Sequence, residues 1–137
     1  MERFETAREA AYALRPDQPV YCFRPAVLQA DALAFQSAFP GRTAYAVKTN
    51  GEPIVLKTLA EAGFDCFDVA SPGEFAAVRA VAPKAGLIYT HPVKAQSDIR
   101  LAIETYGIRT LALDHEDEVA KILKAVHGLD RDPADFT

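Results

Sequence analysis

Thr43-Ala44-Tyr45-Ala46-Val47-Lys48-Thr49-Asn50 decides the fold, because its strand-like run, Thr43 to Lys48, is the first of four. The others are Cys66 to Ala70, Leu87 to Thr90 and Thr110 to Leu113. Their central residues, Tyr45, Phe67, Tyr89 and Leu111, each stand 22 positions from the last. The residues around them do not repeat, so this period belongs to the architecture and not to a duplicated sequence.

Helical patterns fill the intervals. Ile99, Ala102, Ile103 and Tyr106 fall at i, i+3, i+4, i+7, as do Val119, Ile122, Leu123 and Val126, and Val55, Leu59 and Ala62 make a shorter stripe. Gly63, Gly107 and Gly128 follow these helices where left-handed C-caps are expected. Ser71-Pro72-Gly73-Glu74 reads as a capping box, with Ser71 as N-cap and Glu74 at N3. Asp114, Glu116, Asp117 and Glu118 place negative charge at the start of the last helix, which suits its dipole. Upstream, Pro19 to Phe23 reads as a strand and Ala26 to Phe39 as a helix. Strands alternating with helices predict an α/β fold with a parallel sheet. Four units are half of a closed (β/α)₈ barrel, which takes about 250 residues. A flavodoxin-like doubly wound sheet needs about as many units as are present, and periodicity alone does not separate the two.

Composition narrows the function. The 137 residues are half hydrophobic and a quarter charged, as in a globular domain. A net charge of -4 with no Lys/Arg-rich run disfavours nucleic acid. No apolar run approaches the roughly 18 residues of a membrane helix, and the first residues lack the apolar core of a signal peptide. Cys22 and Cys66 lie far apart and read as reduced core thiols, so a cytoplasmic location is expected. No His/Cys/Asp cluster has metal-ligand spacing.

Lys48 closes the first strand-like run at its C-terminal end, the edge that carries chemistry in both candidate folds. Partial desolvation there would lower its pKa and free the amine to attack an aldehyde, as in holding pyridoxal phosphate as a Schiff base. The alternative is a lysine that simply reaches solvent.

Tyr45-Ala46-Val47-Lys48-Thr49-Asn50 resembles the Y-A-V-K-x-N cofactor-lysine motif of the ornithine/diaminopimelate/arginine decarboxylases, an alanine-racemase-like barrel class. The segment from Val55 to Gly63 looks like the helix that follows that lysine. Phe67-Asp68-Val69-Ala70-Ser71 with Glu74 is similar to F-D-x-A-S-x-x-E, and His91-Pro92-Val93-Lys94 to N/H-P-x-K. Gly107-Ile108 and Leu113-Asp114 with Glu118 resemble G-V and F-D-S-x-x-E-L. The likeness runs in order from about Pro19 to the last residue.

The resemblance implies the barrel, with residues 1–24 as an N-terminal segment whose strand leads into it and 25–137 as its first four βα units, ending before the fifth strand. It implies pyridoxal 5'-phosphate as cofactor and Lys48 as the catalytic residue that holds it. Ala46 is read as leaving room for the ring on the face that strand alternation assigns to Lys48. Asp68, one strand over, is read as facing the same pocket. Decarboxylation of a basic amino acid follows, ornithine to putrescine being favoured, with lysine, diaminopimelate, arginine and a carboxylated polyamine as alternatives, in a homodimeric enzyme. A non-catalytic relative keeping only the fold is the competing class. The phosphate loop, the acidic partner of the pyridine nitrogen and the substrate residues of such enzymes fall on segments beyond these, so residues 1–137 alone are expected to be inactive. Glu74 is assigned to capping, His91 to the loop at the pocket mouth, Lys94 to a solvated helix start, and His115 and His127 to the surface.

Overall fold

A computed structural model describes residues 2–137. Four short strands, β1 (Tyr45–Ala46), β2 (Cys66–Val69), β3 (Gly86–Tyr89) and β4 (Thr110–Leu111), form one parallel sheet in the order β1-β2-β3-β4. Helices α3 (Pro53–Glu61), α4 (Pro72–Val81) and α5 (Gln96–Glu104) connect them, and α6 (Glu116–His127) follows β4. Strictly sequential order rules out the doubly wound alternative, in which the order reverses at a switch point. It is the order of a barrel wall.

The register sorts the side chains. Ala46, Asp68, Ile88 and Thr110 are lateral partners in one row, and all four are half-buried. The alternate residues Phe67, Val69, Leu87, Tyr89 and Leu111 are buried in the core beneath the helices. Phe75 from α4 meets Tyr89 edge-on at 4.9 Å and Tyr106 at 5.5 Å, which locks two layers together. Arg79 ties the same region laterally, donating to the Ala85 carbonyl and, at 2.9 Å, to that of Tyr106.

Beyond β4 the wall continues by one residue. The Thr137 N–H donates to the Arg109 carbonyl at 2.9 Å and the Thr137 carbonyl accepts from the Leu111 N–H at 2.8 Å. Bonding to residues on either side of Thr110 is the parallel ladder pattern, so Thr137 lies where a fifth strand begins.

Several expectations change. Pro19 to Phe23 is irregular, with Tyr21 fully exposed and Val20 half-exposed, because no partner strand stands beside it among the described residues. Before it comes α1 (Ala7–Leu14), capped by Thr6, which the apolar spacing did not mark. The helix expected at Ala26 to Phe39 is present as α2 (Pro25–Ala38). Gly63 and Gly107 adopt the expected left-handed conformation at φ 93° and 64°, but Gly128 does not, and Asp130 takes that geometry two residues later. The inward row of α6 is Glu118, Ile122, Ala125 and Val126, with Val119 and Leu123 exposed. The helix is rotated about one position from the apolar stripe because Glu118 is drawn inward to a buried lysine.

Candidate active site

β1 ends at Ala46, and Val47–Thr49 form a short 3₁₀ turn that carries Lys48. Val47 is only 1% exposed and anchors the turn, whereas Lys48 is exposed and enters none of the ion pairs of residues 2–137. These residues therefore do not supply the desolvation expected from the strand-end position. Strand alternation also stops at Ala46, so the turn, and not the pleat, aims Lys48. Two polar contacts close this turn: the Tyr45 hydroxyl donates to the Asn50 carbonyl at 3.2 Å, and the Asn50 Oδ1 accepts from the Glu52 N–H at 3.1 Å.

Asp68 lies beside Ala46 in the ladder, so the two expected pocket residues share one row below the lysine turn. The Thr90 hydroxyl, at the end of β3, donates to Asp68 Oδ1 and ties down the carboxylate. Just above, Ser71 caps α4 by accepting from the Glu74 N–H at 3.4 Å, while Glu74 Oε2 accepts from the Ala70 N–H at 2.8 Å. Glu74 thus has the capping role, reaching one residue further back than the standard box. Asp68→Ala is expected to weaken cofactor retention in the full-length protein with little change in melting. Glu74→Ala should cost about 1 kcal/mol of stability, as other lost caps do. Loss of cofactor on Glu74→Ala at unchanged melting temperature would reverse these assignments.

Lys94 departs most from expectation, since it is buried and not a solvated helix start. Its Nζ donates to the carbonyls of His91 at 2.8 Å, Pro92 at 3.3 Å and Ala112 at 2.5 Å, and lies 3.4 Å from Glu118 Oε2. Lys121 donates to the Lys94 carbonyl at 2.8 Å and pairs with Glu118 Oε1. These contacts hold Glu118 below the usual carboxylate range, the Lys121 hydrogen bond being the main cause. The network joins the loops after β3 and β4, fixing the chain on which Thr90 and His91 sit. His91 is exposed, and its Nδ1 accepts from the Val93 N–H at 3.2 Å, a loop contact. His115 is exposed and its Nδ1 caps α6 by accepting from the Asp117 N–H; His127 is exposed on the same helix.

Of the two thiols, only Cys66 is buried, and burial pushes its pKa up; Cys22 is exposed, contrary to the core reading. Among the described residues no group of His, Cys, Asp and Glu is placed to hold a metal ion, and no helix is long and apolar enough to cross a membrane.

The edge offers an unpaired amine, a carboxylate held by a hydroxyl, and a small residue between them. That set fits a ring bearing an aldehyde, as pyridoxal phosphate does, although it does not include a cradle for the phosphate.

The comparisons agree. The family described as pyridoxal-dependent decarboxylase, pyridoxal binding domain, matches residues 26–131. A lysine/ornithine decarboxylase of Selenomonas ruminantium is 37% identical over 87 residues, 63% of this chain and 22% of that protein. Antizyme inhibitor 2 of Homo sapiens is 38% identical over 85 residues, 61% of this chain and 18% of that protein. The crystal structure of a lysine/ornithine decarboxylase from Vibrio vulnificus, complexed with putrescine, matches with a TM-score of 0.75 at 28% identity, over 89% of this chain and 35% of that one. This chain therefore spans about a fifth of the length of those two curated relatives. It belongs to the pyridoxal-dependent decarboxylases, whose cofactor is pyridoxal 5'-phosphate, as the first four βα units of their pyridoxal-binding barrel.

Proposed function

We propose that the chain is the cofactor-lysine half of the barrel of an enzyme that decarboxylates a basic amino acid, with L-ornithine to putrescine the favoured reaction. The observation that carries this reading is the position of Lys48, exposed on its own turn above the Ala46–Asp68 row at the C-terminal edge of a parallel sheet. Bound pyridoxal phosphate supplies the sink for the electron pair left when carbon dioxide departs. Lys48 contributes the amine that holds the cofactor's carbonyl carbon and gives way to the substrate amine. Ala46 leaves space below it, and Asp68 presents a carboxylate to the ring, its orientation set by Thr90. The names of the Selenomonas and Vibrio relatives, lysine/ornithine decarboxylases, support a basic amino acid as substrate. The same reading places the whole protein in the cytoplasm as a homodimer, with a small amino acid as its partner.

A second reading has a specific basis: four relatives are named as antizyme inhibitors and not as decarboxylases. Lys48 together with Asp68 favours chemistry. The test is carbon dioxide release by the full-length protein from carboxyl-labelled ornithine, lysine, diaminopimelate and arginine. Ornithine is expected to turn over fastest. Cofactor capture without release from any of the four would favour the non-catalytic reading.

A further inference from the structure

We propose that Tyr45 is a positioning residue for Lys48: its hydroxyl, bonded to the Asn50 carbonyl, closes the turn that presents the amine. The inference rests on the reading of Lys48 above and extends it to the device that aims the side chain. A 3₁₀ turn of three residues is weakly self-supporting, since its hydrogen bonds are poorly aligned. The lysine it carries is long and has much rotamer freedom to lose, so its root must be held from outside. Three contacts do this. Val47 is sunk in the core immediately before Lys48. Asn50 is held immediately after the turn by its own contact with the Glu52 N–H. Tyr45 bridges the whole segment, from the first residue of β1 to Asn50, five residues on. Its ring is fixed independently, edge-on against Phe67 at 6.4 Å and an interplanar angle of 79°, so the hydroxyl is delivered from a rigid base. Burial pushes the Tyr45 hydroxyl above its ordinary pKa, which keeps it a donor at working pH.

Tyr45→Phe removes that one atom and keeps the ring on Phe67. In the full-length protein, borohydride trapping with increasing pyridoxal 5'-phosphate, read by peptide mass spectrometry, gives the concentration that half-labels Lys48. Tyr45→Phe is expected to raise it about fivefold, the size of one neutral hydrogen bond, and to speed hydrogen exchange at residues 47–50 several-fold. Ile99→Val, which removes a core methyl in α5 and leaves Tyr45 and Phe67 in place, is the stability control. It should lower the melting temperature yet keep labelling within about twofold of the wild type, well inside that one-bond shift. The proposal is overturned if Tyr45→Phe leaves both labelling and exchange unchanged, or if Ile99→Val shifts labelling equally. If the wild type takes no label at Lys48, the cofactor assignment itself fails. Hydrogen exchange then decides alone whether Tyr45 holds the turn.

Discussion

Replacing Lys48 with alanine in the full-length protein is expected to abolish borohydride-fixed pyridoxal phosphate at this site and the visible absorbance of the bound cofactor, with the fold intact. The effect should be complete because Lys48 is the only lysine on the turn above the Ala46–Asp68 row. Lys94, the other lysine near this edge, is buried and held by three carbonyls and a carboxylate, so it cannot reach the cofactor in place of Lys48. Lys57 and Lys121 are engaged with Glu61 and Glu118 on helices. Stability should hardly change, because the Lys48 side chain is exposed and makes no ion pair. Peptide mapping that finds the label on a different lysine, or a Lys48→Ala protein that retains the absorbance, would remove the basis of the proposed function.

The second large effect concerns stability. Glu118→Ala leaves the Lys94 ammonium buried with only neutral acceptors, and breaking a buried pair from one side costs about 3–5 kcal/mol. That is a large share of the 5–15 kcal/mol that typically holds a domain together. Denaturant unfolding of the full-length protein at neutral pH measures it, and a loss below about 1 kcal/mol would mean that the pair is bystander chemistry. Lys94→Met combined with Glu118→Leu should recover only part of the loss: no charge is left buried and unpaired at position 94, but the carbonyls of His91, Pro92 and Ala112 lose their donor and Lys121 its carboxylate. The same group sets an acid limit. The folded pKa of Glu118 lies below its ordinary value of 4.5. Its contribution is therefore present above that value and is lost as pH falls through the lower folded one. The gap between wild type and Glu118→Ala should accordingly shrink below about pH 4.5 and stay constant from there to neutrality.

Much of this protein was legible as sequence because the signals are local. The 22-residue spacing of Tyr45, Phe67, Tyr89 and Leu111 became four strands in chain order; Tyr45 pairs with Phe67 and Tyr89 with Leu111, whereas Phe67 pairs with Leu87, two residues short of Tyr89. The box at Ser71 and Glu74 and the glycines at 63 and 107 are backbone requirements that side-chain chemistry announces directly. Ala46 and Asp68 fall in one row because β1 and β2 pair at the 22-residue offset of their central residues.

What the tertiary structure decided is everything that depends on a partner far along the chain. Residues 19–23 have the composition of a strand, but a strand exists only beside another, and among the described residues none stands there. Lys94 looks solvated in sequence, but it is buried against the Ala112 carbonyl and Glu118, 18 and 24 residues on. Thr90 carries no motif, yet it is the donor to Asp68 from 22 residues away. The turn at Lys48 was hidden for the opposite reason. Its residues favour a strand, but the ladder ends at Ala46, and beyond that point Val47 burial and the Tyr45–Asn50 bond set the backbone. Local pattern alone puts a lysine at the C-terminal edge of a parallel sheet, and the motifs' resemblance makes that sheet a barrel wall. Only the tertiary structure decided how that lysine is presented and which buried charges hold the surrounding loops, because those contacts join segments that no local pattern connects.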